Sequence, residues 1–184
     1  MRLYRQTVED FGLFTGMELS EKQCVSLREA AGMMSAKMRA VRIVSSTSVS
    51  KRDLQQRLIR KGEDPDQAEN AVEWMAELDL IDDRKTAEQV VSRCISKGYG
   101  LAKAKQALYE KQIPREYWQD VLSDYPEQFD CIVDFLRSRL TDSPSDKDVK
   151  RVTDALLRRG HSWSVIRRAL RTFVYDADDF REDD

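Results

Sequence analysis

The stretch that decides the fold is Leu78-Asp79-Leu80-Ile81-Asp82-Asp83, together with the residues that follow it to Leu122. After this hinge Ala87, Val90, Val91, Cys94 and Ile95 recur at steps that fit a helix, until Gly98-Tyr99-Gly100 interrupts them. Leu101, Ala104 and Leu108 carry a second helix that ends near Gln112. Pro114 opens a third, with Tyr117, Trp118, Val121 and Leu122 on its apolar face. Proline is well placed at a first helical position, because the amide it lacks would have no intrahelical partner there. The spacing predicts three consecutive helices.

The same order recurs on both sides. Before it, Met33, Ala36, Ala40, Ile43 and Val44 form one apolar stripe, and Ser50-Lys51-Arg52-Asp53 caps a helix with Leu54, Leu58 and Ile59 inside. Gly62 closes that helix, and Asp64-Pro65 opens another carrying Ala68, Ala71, Val72 and Met75. After it, Pro126 starts a helix with Phe129, Ile132, Val133, Leu136 and Leu140, followed by a polar loop from Thr141 to Ser145. Ser145 caps the next, with Val149, Val152 and Leu156, to Gly160; Ser162 caps the last, with Val165, Ile166, Ala169, Leu170 and Phe173. Leu58, Leu108 and Leu156 each lie four residues before Gly62, Gln112 and Gly160.

The expected fold is therefore all-α: three tandem three-helix modules in an elongated, curved array. The modules span residues 32–81, 82–125 and 126–175. A partly ordered lead-in, 1–31, precedes them; Gly12 and Gly16 make it turn-like, and Ser20-Glu21-Lys22-Gln23 caps a helix that breaks near Gly32. An acidic tail, 176–184, is expected to be mobile, and its deletion to tighten non-specific DNA binding at low salt.

With 41% hydrophobic residues in 184, the chain has material for real cores, which excludes a disordered chain. Cys24, Cys94 and Cys131 show no paired spacing, so neither a disulfide framework nor a thiolate metal site is suggested, and a cytoplasmic location fits. No apolar run approaches the ~20 residues of a membrane span. The net charge of −2 hides a segregation. From Lys37 to Lys61 eight basic residues face the single acid Asp53, whereas Glu63 to Glu88 holds ten acids against two bases. From Arg93 to Arg115 the balance is six bases to one acid, and from Arg137 to Arg171 ten to four. Local potential then matters more than the total.

These residues carry a resemblance. Ala40 to Val44, Ser50, Asp53-Leu54, Leu58 and Lys61-Gly62 resemble the first half of the RecX family of recombination regulators. Leu80-Ile81-Asp82-Asp83, Ala87, Arg93, Lys97-Gly98, Gly100 and Leu108 continue the similarity, and Leu156 with Arg158-Arg159-Gly160 closes it. It covers Arg39 to Leu170, and Gly12 to Leu19 is similar to the lead-in of some members. The sequence departs from the family at Ser46-Thr47, where basic residues are frequent, at Gln112 in place of a glycine, and at His161 in place of an aromatic. The resemblance implies tandem three-helix modules. It also implies a monomeric regulatory protein that binds the filament a RecA-type recombinase forms on single-stranded DNA, most often inhibiting its ATPase and recombinase activities.

The basic residues expected to face that partner or its DNA are Arg57, Arg60, Lys61, Lys103, Lys105, Lys111, Arg158, Arg159, Arg167 and Arg168, which cluster in and beside the second helices or on the last one. A direct binder of single- or double-stranded DNA and a general helical interaction scaffold are the alternatives. Catalysis, a metal and a cofactor are not expected. His161 is the single histidine, no phosphate-binding loop is present, and Gly98-Tyr99-Gly100 lacks the third glycine of a dinucleotide fingerprint. Asp82-Asp83 is explained by helix capping and the helix dipole rather than by a hard cation. Trp74, Trp118 and Trp163 are expected to be core rather than stacking platforms.

Overall fold

The computed structural model describes residues 3–141 and 144–179, with side chains through Thr172. Every regular element among them is helical: α1 (Arg5–Asp10), α2 (Glu21–Ser46), α3 (Lys51–Arg60), α4 (Pro65–Glu77), α5 (Asp83–Ser96), α6 (Leu101–Glu110), a 3-10 turn (Arg115–Tyr117), α7 (Trp118–Leu122), α8 (Phe129–Arg137), α9 (Asp146–Arg158) and α10 (Trp163–Asp179). The chain folds as two compact units, 1–86 and 87–184, divided inside α5.

In the first unit α2, α3 and α4 pack on one another, and α1 packs on α2. Ser20 and Gln23 form the capping box that starts α2, the Ser20 amide donating to Gln23 Oε1 at 2.9 Å. No break follows. α2 runs through Gly32 as one 26-residue helix, because Gly32 marks a close approach instead: a Cβ there would lie 2.3 Å from Gln67 Oε1 on α4. Ala36, Ala40, Ala68 and Ala71, all fully buried, keep the two helices close, and Leu54, Leu58 and Met75 fill the space beneath. The expected core residue Ile59 is instead 39% exposed, since it lies one step around α3 from Leu58.

The second unit holds two hydrophobic clusters. Ala87, Val91, Leu108 and Ile113 centre one, with Trp118, Val121 and Leu122 against it. Ile132, Leu136, Leu156, Ile166 and Ala169 centre the other. Leu101 is not in either core but 41% exposed at the first turn of α6. The helix expected at Pro126 starts three residues later. Gln128 takes a left-handed turn, φ 62°, and its side-chain amide donates to the Ile95 carbonyl at the end of α5, at 3.3 Å. α10 continues to Asp179, so residues 176–179 of the expected mobile tail are helical; 180–184, with Asp142 and Ser143 of the polar loop, lie outside the described residues, as does the Phe173 side chain.

One closure ends six helices. The amides of Leu13, Glu63, Leu80, Tyr99, Ile113 and His161 reach back to the carbonyls of Val8, Leu58, Met75, Cys94, Leu108 and Leu156. The residue before each has positive φ: Gly12, Gly62, Asp79, Gly98, Gln112 and Gly160. Gln112 keeps this geometry without glycine, at φ 54°, and absorbs the conformational cost that a Cβ brings there.

Gly160 does more than end α9. Its carbonyl accepts from the Ala102 amide at 3.2 Å, and Arg159 O accepts from Gly100 N at 2.9 Å. A Cβ on Gly160 would stand 2.3 Å from Lys103 N, and one on Gly100 would stand 2.1 Å from Gly160 O. Gly62 has the same positive φ but open space around it. Urea unfolding of Gly62→Ala is therefore expected to show only the ~1–2 kcal/mol cost of the left-handed residue. Gly160→Ala adds ~1–3 kcal/mol because α6 has to move.

Candidate interaction surfaces

The ten basic residues singled out from the sequence divide into those used by the fold and those left to solvent. Ser50 caps α3 by accepting from Asp53 N at 3.1 Å, which fixes Asp53 in the first turn at 5% exposure. Arg57, one turn on, donates Nε to Asp53 Oδ1 at 2.8 Å, and Arg60 reaches the same oxygen at 4.0 Å. A buried carboxylate requires such a partner. Beside this pair, Arg39 of α2 bridges to the buried Glu63 at 2.6 Å and donates to the Lys61 carbonyl, tying α2 to the turn between α3 and α4.

In the second unit Arg159 is the most committed cation. Its Nη2 donates to Lys97 O at 3.0 Å, and its guanidinium lies 5.4 Å from the Tyr99 ring and 5.2 Å from the Phe135 ring. Arg168 is ion-paired with Glu127 and stacks 4.7 Å from Phe129. Lys103 donates Nζ to Gln106 Oε1 at 3.0 Å, and Lys111 is half-buried. Lys61, Lys105, Arg158 and Arg167 are exposed, with no side-chain hydrogen bond or ion pair among the described residues.

Lys105 and Leu101 stand between two grooves of the second unit. One, of about 460 Å³, is walled by Arg115, Trp118 and Leu122. The other, of about 590 Å³, is walled by Tyr125, His161, Ser162 and Ser164. Arg115 covers the Trp118 ring at 5.5 Å, and Trp118 Nε1 donates to Ile113 O at 3.1 Å, so that indole is fixed. Tyr125 donates its hydroxyl to Tyr99 O at 2.7 Å, and burial with Cys94 nearby pushes the phenol up to about 12. Burial raises the Cys94 thiol as well, which keeps it protonated and inert. No group of three or more His, Cys, Asp and Glu side chains is placed to hold a metal among the described residues.

The tryptophans separate. Trp74 and Trp118 are half-buried, and Lys37 covers the Trp74 ring at 5.0 Å. Trp163, expected in the core, is 54% exposed at the first position of α10, because the core-facing side of that helix belongs to Val165, Ile166 and Ala169. A sequence signal existed: Trp163 leads Arg167 and Arg171 at steps of four, and no acid lies between Ser162 and Thr172.

Two tests follow from this geometry. Arg57→Glu sets a second carboxylate against buried Asp53 and is expected to lower unfolding free energy by ~2 kcal/mol. Lys105→Glu changes it by no more than ~0.5 kcal/mol, and urea titration reads both. His161 is 6% exposed; burial, with Arg159 adding and the Gly98 carbonyl opposing, holds it below its ordinary 6.5. The unfolded chain then binds a proton that the folded chain refuses. Its contribution to stability is full above pH 6.5 and falls away below it, as pH approaches the folded value. His161→Phe is expected to flatten the decline in urea midpoint between pH 7 and pH 5.

No family model matches the chain. Regulatory protein RecX of Neisseria meningitidis is 28% identical over 138 residues, 74% of this chain and 90% of the relative. Regulatory protein RecX of Halorhodospira halophila is 28% identical over 145, covering 77% and 89%, and that of Clostridioides difficile is 22% identical over 178, covering 94% and 84%. A crystal structure of regulatory protein RecX shares the fold, with a TM-score of 0.67 and 23% identity over 90% of this chain and 86% of the other. That of RecX from Lactobacillus salivarius does so with a TM-score of 0.67 and 19% identity, covering 78% and 97%. None of the described helices is long and apolar enough to cross a membrane. Relatives so named match over most of both chains and the all-helical fold is shared, so this chain is similar along most of its length to the regulatory RecX proteins.

Proposed function

We propose that this protein binds the filament that a RecA-type recombinase forms on single-stranded DNA and restrains its ATP hydrolysis and strand exchange in the cytoplasm. The observation that carries this reading is the agreement with regulatory RecX proteins over most of the chain. Three hydrophobic clusters, at 36–81, 87–125 and 129–170, support the division into three modules. A monomer with several modules can touch more than one protomer of a filament, and each contact raises the effective concentration for the next.

The free cations Lys61, Lys105 and Arg158 are assigned to the recombinase-facing surface, where they meet acidic protein surface or neighbouring phosphates. Arg57, Arg159 and Arg168 support that surface by holding the fold, and their loss acts through stability. The test follows ATP hydrolysis by recombinase filaments, with DNA binding measured in parallel. Inhibition well below DNA saturation is expected. The Lys61→Glu, Lys105→Glu, Arg158→Glu triple variant is expected to need at least ~10-fold more protein and to lose part of the salt dependence. Inhibition only once bare DNA is coated, or an unchanged triple variant, overturns the assignment.

A further inference from the structure

We propose that the exposed stripe of α10, Trp163 with Arg167 and Arg171, is a contact site for single-stranded nucleic acid, with the indole stacking on a base and the two guanidinium groups meeting phosphates.

Trp163 is the largest apolar side chain of the unit left open, at 54% exposure, and its indole has no hydrogen bond or ring contact among the described residues. Trp74 and Trp118 each have a cation lying over the ring, at 5.0 Å and 5.5 Å. Arg167 and Arg171 follow Trp163 at one-turn intervals, both exposed and without partners among the described residues. A rise of ~1.5 Å per residue sets the three groups ~6 Å apart along the axis, on the scale of one nucleotide of an extended strand. Charge selects the ligand. From Ser162 to Thr172 there are three arginines and no acid, and Glu127, which reaches this helix, is occupied by Arg168.

An open indole beside unpaired guanidinium groups supplies the two sequence-independent contacts a flexible strand offers: a base face and successive phosphates. A duplex hides its base faces, so the stripe favours the single strand. Hydrophobic burial explains neither arginine, and a structural role explains neither the openness of the ring nor the absence of acids. This surface does not rest on the filament reading, since it requires no recombinase.

The experiment titrates the full chain with short oligothymidine, without recombinase, following tryptophan emission and fluorescence anisotropy of labelled strand. Expected are quenching by the single strand and none by a blunt duplex of equal length. Trp163→Ala is expected to weaken binding at least ~10-fold, and Trp163→Phe to stay within a few-fold of the parent. Arg167→Ala with Arg171→Ala is expected to lower the slope of log affinity against log salt by ~1.4. Circular dichroism checks that each variant folds. Oligonucleotide affinity unchanged by Trp163→Ala overturns the site. So does loss of filament inhibition in these variants with strand binding intact, which reassigns the stripe to a protein partner.

Discussion

Two backbone hydrogen bonds organise the second unit: Gly100 N to Arg159 O, and Ala102 N to Gly160 O. The first amides of a helix and the last carbonyls of another are both left without intrahelical partners. Here α6 begins where α9 ends, so each supplies what the other lacks. The dipoles also meet with opposite partial charges facing. The contact needs two residues without a Cβ, because a methyl on either glycine would penetrate the opposite backbone. Arg159 then reaches from the same corner to Lys97 O and lies between Tyr99 and Phe135, which locks the start of α6 from the other side.

That arrangement changes the meaning of the basic residues. Arginine is suited to structural use, since one guanidinium can satisfy a carbonyl while stacking on an aromatic face. Arg57, Arg159 and Arg168 are employed in that way, against a buried acid, a helix end and a surface acid with an aromatic ring. What remains for a partner is a smaller set: Lys61, Lys105, Arg158 and Arg167, with Arg171 and the open ring of Trp163. Surface charge counted along a chain overstates the charge available for binding when folding consumes part of it.

Much of the fold was legible in particular residues. Ser20, Ser50, Asp64 and Ser145 each accept from a backbone amide at the start of a helix, as capping chemistry predicts. Gly62, Gly98 and Gly160 each take positive φ at a helix end. Gly32 misled because a glycine inside a helix is ambiguous in sequence: a break and a close neighbour look alike until Gln67 is seen against it. The site was less legible. Periodicity assigns a face but not whether a neighbour covers its edge, so Leu101 and Trp163 were placed inside and lie open.

The sequence by itself determined that the chain is helical, where most helices start and stop, and most of the residues that form each core. These are local properties, set by caps, glycines and apolar spacing within one helix or its adjoining turn. The tertiary structure alone decided that α6 is seated on the end of α9, that Arg159 is a structural residue, and that Trp163 faces solvent. Each depends on residues separated by many turns of chain, and no periodicity in the sequence records which carbonyl an arginine will find or which ring will be left uncovered.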